Sequence, residues 1–170
     1  PGMVPFRGGL PAVRTWQKFG TLEMNYDLSP NLSLNSLTGY YKLNTWVDFN
    51  CSNSGQAASG CMTTKRLKRE DFTQEIRLSS DNDGPFNFTL GGFYQDGEIT
   101  NQVVLPGNVA LFGSPAFARL FDGTHDIDIR AISLFGQGRF KVTPQFEIAA
   151  GARWTDEKRT STPTSVDLFG

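Results

Sequence analysis

The chain has few of the residues that most often build catalytic or metal centres. It contains one histidine, His125, and two cysteines, Cys51 and Cys61. A transition-metal site usually needs more imidazole or thiolate ligands than this, and the spacing around Asp126 and Asp128 is not that of a calcium loop. No nucleophile-elbow motif is present. We therefore expect no enzyme active site, no metal site and no cofactor, and we interpret the acidic segment around His125 as a solvated strand start.

Long hydrophobic runs and a strong excess of one charge are also missing. Apolar residues make up 38% of the chain, and no run approaches the ~20 residues that a spanning helix requires. The net charge of −1 argues against nucleic-acid binding, which requires a basic face. The first residues, PGMVPFRGG, include neither a starting methionine nor the charged and apolar regions of a signal peptide. We expect the chain to be an internal piece of a longer protein.

Phenylalanine and glycine are abundant, with 14 and 18 residues. Residues 127–159 contain two runs of alternating apolar and polar residues around the predicted turn Thr143-Pro144-Gln145. Alternation with a period of two places successive side chains on opposite faces of a strand. Long arms and a tight turn are typical of a transmembrane β-hairpin. The candidate lipid-facing residues are Leu134, Phe140, Phe146, Ile148 and Trp154.

The same alternation predicts six strands in total, with short turns near residues 30, 83 and 144. Residues 1–20 are predicted to be a loop, and long irregular connections are predicted near residues 50–67 and 100–126. In the run from Leu32 to Phe49, the apolar residues change parity after Leu34. Either a bulge near Ser36 or a strand that leaves the membrane would explain this change.

These features predict an all-β fold, an antiparallel meander of about six long strands that forms part of a transmembrane outer-membrane β-barrel. Short turns at one end and long loops at the other are the pattern of such barrels. Six strands leave two open edges, so we do not expect this chain alone to close into a pore. Two alternatives remain: a secreted β-sandwich that binds a ligand through its loops, and a smaller porin-like barrel.

Several segments resemble the middle of the barrel in TonB-dependent outer-membrane receptors. They are LSLNSLTGYYK, DFTQEIRLSSD, FNFTLGGFYQDGE and SLFGQGRFKVTPQFEIAAGARWTDEKR, within residues 21–159. The resemblance implies a barrel of about 22 strands around an N-terminal plug. It also implies a Gram-negative outer membrane, a TonB energy-transducing complex engaged through an N-terminal part, and uptake of a scarce nutrient such as a ferric siderophore, cobalamin or glycan. No plug-like segment, TonB-box-like segment or closing strand is evident, so residues 1–170 are interpreted as a partial barrel domain.

Two further sites follow from an outer-membrane location. The basic run Lys65, Arg66, Lys68 and Arg69 is a candidate contact for lipopolysaccharide phosphates, with a solvated strand end as the alternative. Cys51 and Cys61 are a candidate disulfide in an external loop, with two unpaired thiols as the alternative. Closing a ring of this size stabilises a fold by about 3 kcal/mol at most in the chain-entropy account.

Overall fold

The computed structural model describes residues 11–50, 62–106 and 119–167, and these residues form one sheet. Its strands are β1 (Ala12–Ser29), β2 (Leu32–Asn50), β3 (Met62–Ser80), β4 (Phe86–Pro106), β5 (Arg119–Thr143) and β6 (Phe146–Asp167). They lie in the order β1-β2-β3-β4-β5-β6, and each is antiparallel to the next. The predicted all-β meander of six strands is confirmed. The described residues form no second layer of the kind that a β-sandwich requires.

The strands are longer than the sequence predicted, with 25 residues in β5 and 22 in β6. The prediction of a loop over residues 1–20 is wrong from Ala12 onward, since Ala12 pairs with Asp48. The predicted irregular connections are also too long. Strand β3 begins at Met62, β4 continues to Pro106 and β5 begins at Arg119. Apolar and polar residues mix in these outer parts, so alternation alone does not reveal the strands, although their backbones stay paired.

Short turns join the strand pairs at one end of the sheet. The last turn has two residues, not the predicted three, because Thr143 still pairs with Phe146. The turn between β3 and β4 is held by Asn87, a buried side chain that is 4% exposed. Its Oδ1 accepts a hydrogen bond from the backbone N of Asn82 at 2.6 Å, and its Nδ2 donates to the Asn82 carbonyl O at 3.1 Å. The Ser80 hydroxyl adds a second bridge, since it donates to Asn87 Oδ1 at 3.1 Å and accepts a hydrogen bond from the backbone N of Phe88 at 2.8 Å.

The apolar residues of β2 change parity although the pairing of the strand with its neighbours does not shift. Pairing of β2 with β1 and with β3 runs past Ser36 without a shift. The proposed bulge near Ser36 is wrong, and the irregularity lies in β1, between Asp27 and Ser29. The second group of apolar residues in β2 therefore projects from the opposite face to Leu32 and Leu34; its members are Leu37, Tyr41, Leu43 and Val47.

Directly paired residues of neighbouring strands project to the same side, so the register defines two faces. On one face, which we call the apolar face, five strands each carry a nine-residue stretch rich in apolar and aromatic side chains. The stretches are Leu32–Tyr40, Phe72–Ser80, Phe86–Tyr94, Leu134–Val142 and Phe146–Trp154. Together they form the apolar band. Nine residues is close to the ~9–11 that a tilted strand needs to cross a bilayer.

Candidate functional site on the two faces of the sheet

The five residues predicted to face lipid lie together on the apolar face. Their exposed fractions are between 48% and 60%, although all are large hydrophobic residues. In the register, Leu134 pairs with Trp154, and Phe140 pairs with Ile148. Aromatic side chains mark the end of the band that is far from the turns: Tyr40, Phe72, Tyr94 and Trp154. This arrangement is that of an apolar belt with an interfacial aromatic girdle.

Three neighbouring polar residues lie within the apolar band and are joined by hydrogen bonds. The hydroxyl of Thr38 donates to Gln74 Oε1 at 2.6 Å. The amide Nε2 of Gln74 donates to Ser36 Oγ at 2.9 Å and to the backbone carbonyl of Glu75 at 3.2 Å. A polar group that faces hydrocarbon without a partner is costly. The cluster is therefore compatible with a lipid-facing surface, although its residue types alone did not predict this.

Charged residues replace apolar ones on the same face just beyond the aromatic residues. Lys42 forms an ion pair with Glu70, which also accepts a hydrogen bond from the Tyr40 hydroxyl at 3.1 Å. The pair lies outside the apolar band. The hydrogen bond from Lys42 lowers the pKa of Glu70 below its ordinary value, and the same bond raises the pKa of Lys42. This transition from apolar to charged side chains marks where the surface becomes suited to water and headgroups.

The four basic residues predicted to contact lipopolysaccharide do not form one surface. Arg66 and Lys68 lie on the apolar-face side, where Arg66 stacks over the Trp46 ring at 3.9 Å from the centroid. Lys65 and Arg69 project to the opposite face, because successive residues of a strand alternate. Arg69 donates through Nε to Asp71 at 2.5 Å. Only Arg66 and Lys68 remain candidates for a phosphate on the outer side.

The opposite face, which we call the polar face, carries ion pairs between neighbouring charged side chains. Arg77 pairs with Glu75, and Arg159 pairs with Glu157. The third pair is Arg69 with Asp71, whose Oδ1 also accepts a hydrogen bond from Gln95 Nε2 at 2.9 Å. Side chains of this kind suit the hydrated or protein-filled interior of a large barrel.

One arginine on the polar face is held without a carboxylate. The guanidinium of Arg153 donates through Nη2 to Ser133 Oγ at 2.9 Å and lies 5.5 Å from the ring centroid of Phe93 and 5.6 Å from that of Phe135. Ser133, only 1% exposed, also shares a hydrogen bond of 2.9 Å with the hydroxyl of Thr155. We call these five residues the Arg153 cluster.

The residues around His125 do not converge on a metal. His125 projects to the polar face and hydrogen-bonds Ser161, whereas Asp126 and Asp128 lie on the other face. Within residues 11–50, 62–106 and 119–167, no group of three or more histidine, cysteine or acidic residues is placed to hold a metal ion. The candidate disulfide between Cys51 and Cys61 lies outside the described residues.

Sequence reasoning missed the turn-holding Asn87, the polar cluster on the apolar face and the Arg153 cluster. Asn87 contacts the turn before its own strand, whereas the two clusters join residues from different strands. Alternation along one strand does not reveal which residues of neighbouring strands lie side by side. The only available signal for Arg153 was its position in β6, opposite in parity to the candidate lipid-facing Trp154.

A family model and one solved structure agree with the geometry of the sheet. The family model described as TonB dependent receptor-like, beta-barrel matches residues 5–168. A search among curated proteins found no match. The ferric yersiniabactin uptake receptor FyuA from Yersinia pestis superimposes with a TM-score of 0.66 at 12% identity, over 91% of this chain and 25% of the receptor. BauA, the ferric preacinetobactin receptor from Acinetobacter baumannii, gives a TM-score of 0.42 at 10% identity, over 91% of this chain and 28% of the receptor.

The chain spans about a quarter of the length of FyuA, and at 12% identity the likeness shows a shared fold. In the described part of the chain, no helix has the length and apolar character needed to span a membrane. The family match, by contrast, extends over nearly the whole chain, beyond the segment 21–159 that the sequence motifs indicated. The chain belongs to the TonB-dependent receptor-like β-barrel family.

Proposed function

We propose that this chain is part of the wall of a Gram-negative outer-membrane receptor that imports a scarce nutrient by TonB-dependent active transport. The observation that carries the proposal is the two-faced sheet of a chain in this family. One face has an apolar band nine residues high, and the other has paired charges and amides. A wall between lipid and a polar interior requires this asymmetry.

The partners follow from the two faces and from the family. The apolar band contacts the lipid of the outer membrane, and Arg66 and Lys68 contact lipopolysaccharide phosphates through charge-assisted hydrogen bonds. The TonB complex engages an N-terminal part of the longer receptor. A barrel of about 22 strands has a lumen wide enough to need a plug, and active transport moves the cargo past it.

A ferric siderophore is the first cargo to test. FyuA, which shares the fold, is a receptor for ferric yersiniabactin. Because this likeness is one of fold, cobalamin and glycans belong in the same test as separate substrates. The receptor role is that of a transporter, and the proposal includes no chemical conversion of the cargo.

The test uses the full receptor that contains these residues, produced in a Gram-negative host that lacks its own siderophore receptors. Uptake of iron-55 siderophores, labelled cobalamin and labelled glycans is measured with TonB present and with TonB deleted. We expect saturable uptake of one substrate class that is lost without TonB. Uptake that persists without TonB and rises linearly with concentration would support the porin-like alternative and overturn the proposal.

A further inference from the structure

We propose that Arg153 is an anion-binding residue on the polar face, which takes a carboxylate or another anionic oxygen group presented in the barrel lumen. This inference rests on the proposed function for the existence of that lumen. Arg153 is exposed and directly precedes Trp154, the aromatic residue at the outer end of the band in β6. The guanidinium therefore lies near the outer end of the membrane-crossing part, where it is open to whatever fills the interior.

The first argument is that the guanidinium is already fixed. It donates to the buried hydroxyl of Ser133 and lies near the rings of Phe93 and Phe135. A second, longer hydrogen bond joins its Nε to the Thr155 hydroxyl at 3.4 Å. An arginine side chain loses much rotamer freedom when it binds a ligand, and a side chain that is held beforehand loses less.

The second argument is that Gly91 makes room for this arrangement. A Cβ atom at Gly91 would lie 2.3 Å from Cζ of Phe135, the residue opposite it on β5. Only a residue without a Cβ lets the Phe135 ring lie across β4, beneath the guanidinium. A glycine opposite a large aromatic residue on the neighbouring strand is a known arrangement in β-sheets. The geometry thus depends on residues of three strands.

The third argument is the missing countercharge. Arg69, Arg77 and Arg159 each pair with a carboxylate on the same face. Within the residues that the structure describes, Arg153 has no carboxylate at ion-pair distance; Arg139 has none either, but no hydroxyl or ring holds its guanidinium in place. Hydroxyls and aromatic rings orient a guanidinium but do not neutralise it, so its planar donor edge remains suited to an anionic oxygen group.

The anion has two potential sources with the same chemistry. One is the transported solute, since many metal-chelating ligands carry carboxylates. The other is an acidic side chain of the polypeptide that fills the lumen. Both offer oxygen atoms to the same donor edge, and both predict that loss of the Arg153 charge matters more than loss of another charge on this face.

Arg139 provides a matched control. It lies on the same face, is exposed, and pairs in register with Asn87, and in the described residues it makes no ion pair or ring contact. The experiment compares Arg153→Gln with Arg139→Gln in the purified full receptor. Citrate serves as the carboxylate probe and is titrated calorimetrically, with glycerol as the neutral control. Hydrogen exchange of luminal segments is measured on the same samples.

If the solute supplies the anion, Arg153→Gln should weaken citrate binding about ten- to a hundred-fold, the range of one charged hydrogen-bonded contact, while Arg139→Gln changes it little. If the polypeptide supplies it, citrate binding is unchanged and Arg153→Gln alone accelerates exchange in a luminal segment. Arg153→Lys should restore part of either effect, because it keeps the charge without the planar fork. Ser133→Ala should change the same measurement in the same direction but to a smaller extent, because Ser133 only positions the Arg153 guanidinium.

The inference is overturned if Arg153→Gln and Arg139→Gln are indistinguishable in both measurements. That result is separate from a failure of the proposed function. TonB-dependent uptake by the unmodified receptor tests the function, and uptake of that kind would stand even if Arg153 had no special role.

Discussion

Replacing Ile148 by arginine tests which face of the sheet meets lipid. Ile148 is two residues from the centre of the stretch Phe146–Trp154, on the apolar face, with 52% of its surface exposed. Two residues of a tilted strand correspond to about 5 Å along the bilayer normal, so the new charge lies well inside the hydrocarbon. Arginine costs about 2–4 kcal/mol at the midplane, and less toward the interface. We expect a loss of about 2 kcal/mol, or about a thirty-fold lower ratio of folded to unfolded receptor.

The assay is refolding of the full receptor into lipid vesicles, with the folded fraction measured across a urea series. Gln137→Arg is the matched control, because Gln137 lies on the polar face between Thr89 and Gly151. We expect this control to refold like the unmodified receptor, and Arg153→Ala likewise to leave assembly intact. Equal losses from Ile148→Arg and Gln137→Arg would refute the assignment of faces.

Three other predictions can be checked directly. Non-reducing mass mapping of the full receptor should show a peptide linked through Cys51 and Cys61, and native alkylation of both thiols would rule the disulfide out. Residues 1–170 alone should be β-rich but aggregate in buffer without conducting solutes, because the strand edges are unpaired and the apolar face is exposed; a soluble monomer or a discrete pore would contradict this. The lowered pKa of Glu70 means that its pairing with Lys42 stabilises the fold above the ordinary Glu pKa of 4.5 and is lost as pH falls through the lower folded value. Acid unfolding of Glu70→Gln should therefore show a weaker pH dependence than that of the unmodified receptor, and identical curves would exclude the effect.

The alternation of apolar and polar residues predicted the strands correctly in the part of the sheet where one face must be apolar. Within the apolar band, the requirement that one face be mostly apolar imposes a period of two, and the strands and the approximate positions of the turns there were located from the sequence. The candidate lipid-facing set from Leu134 to Trp154 follows from the same requirement. Contacts such as Thr38 with Gln74, or Arg153 with Ser133, depend on which strand lies beside which and in what register. The alternation within each strand does not determine these contacts between strands.

The outer parts of the strands were missed because the pattern reverses there. Beyond the aromatic end of the band, the apolar-face side carries charged residues such as Lys42 and Glu70. In these outer parts, large aliphatic side chains lie on the polar-face side; they are Leu43, Leu67, Ile99, Ile127 and Ile129. A short window that spans both regions averages the two patterns and predicts irregular structure.

This reversal has a physical meaning for a membrane wall. Inside the bilayer the outward side chains must be apolar and the inward ones can be polar, whereas above it the outward side chains face water. An inward aliphatic surface at that level is stable only if something covers it. Ile129 is only 6% exposed even in the sheet as described. In the proposed receptor, the inner surface above the guanidinium of Arg153 therefore combines these aliphatic side chains with the ion pairs of Arg69 and Arg159.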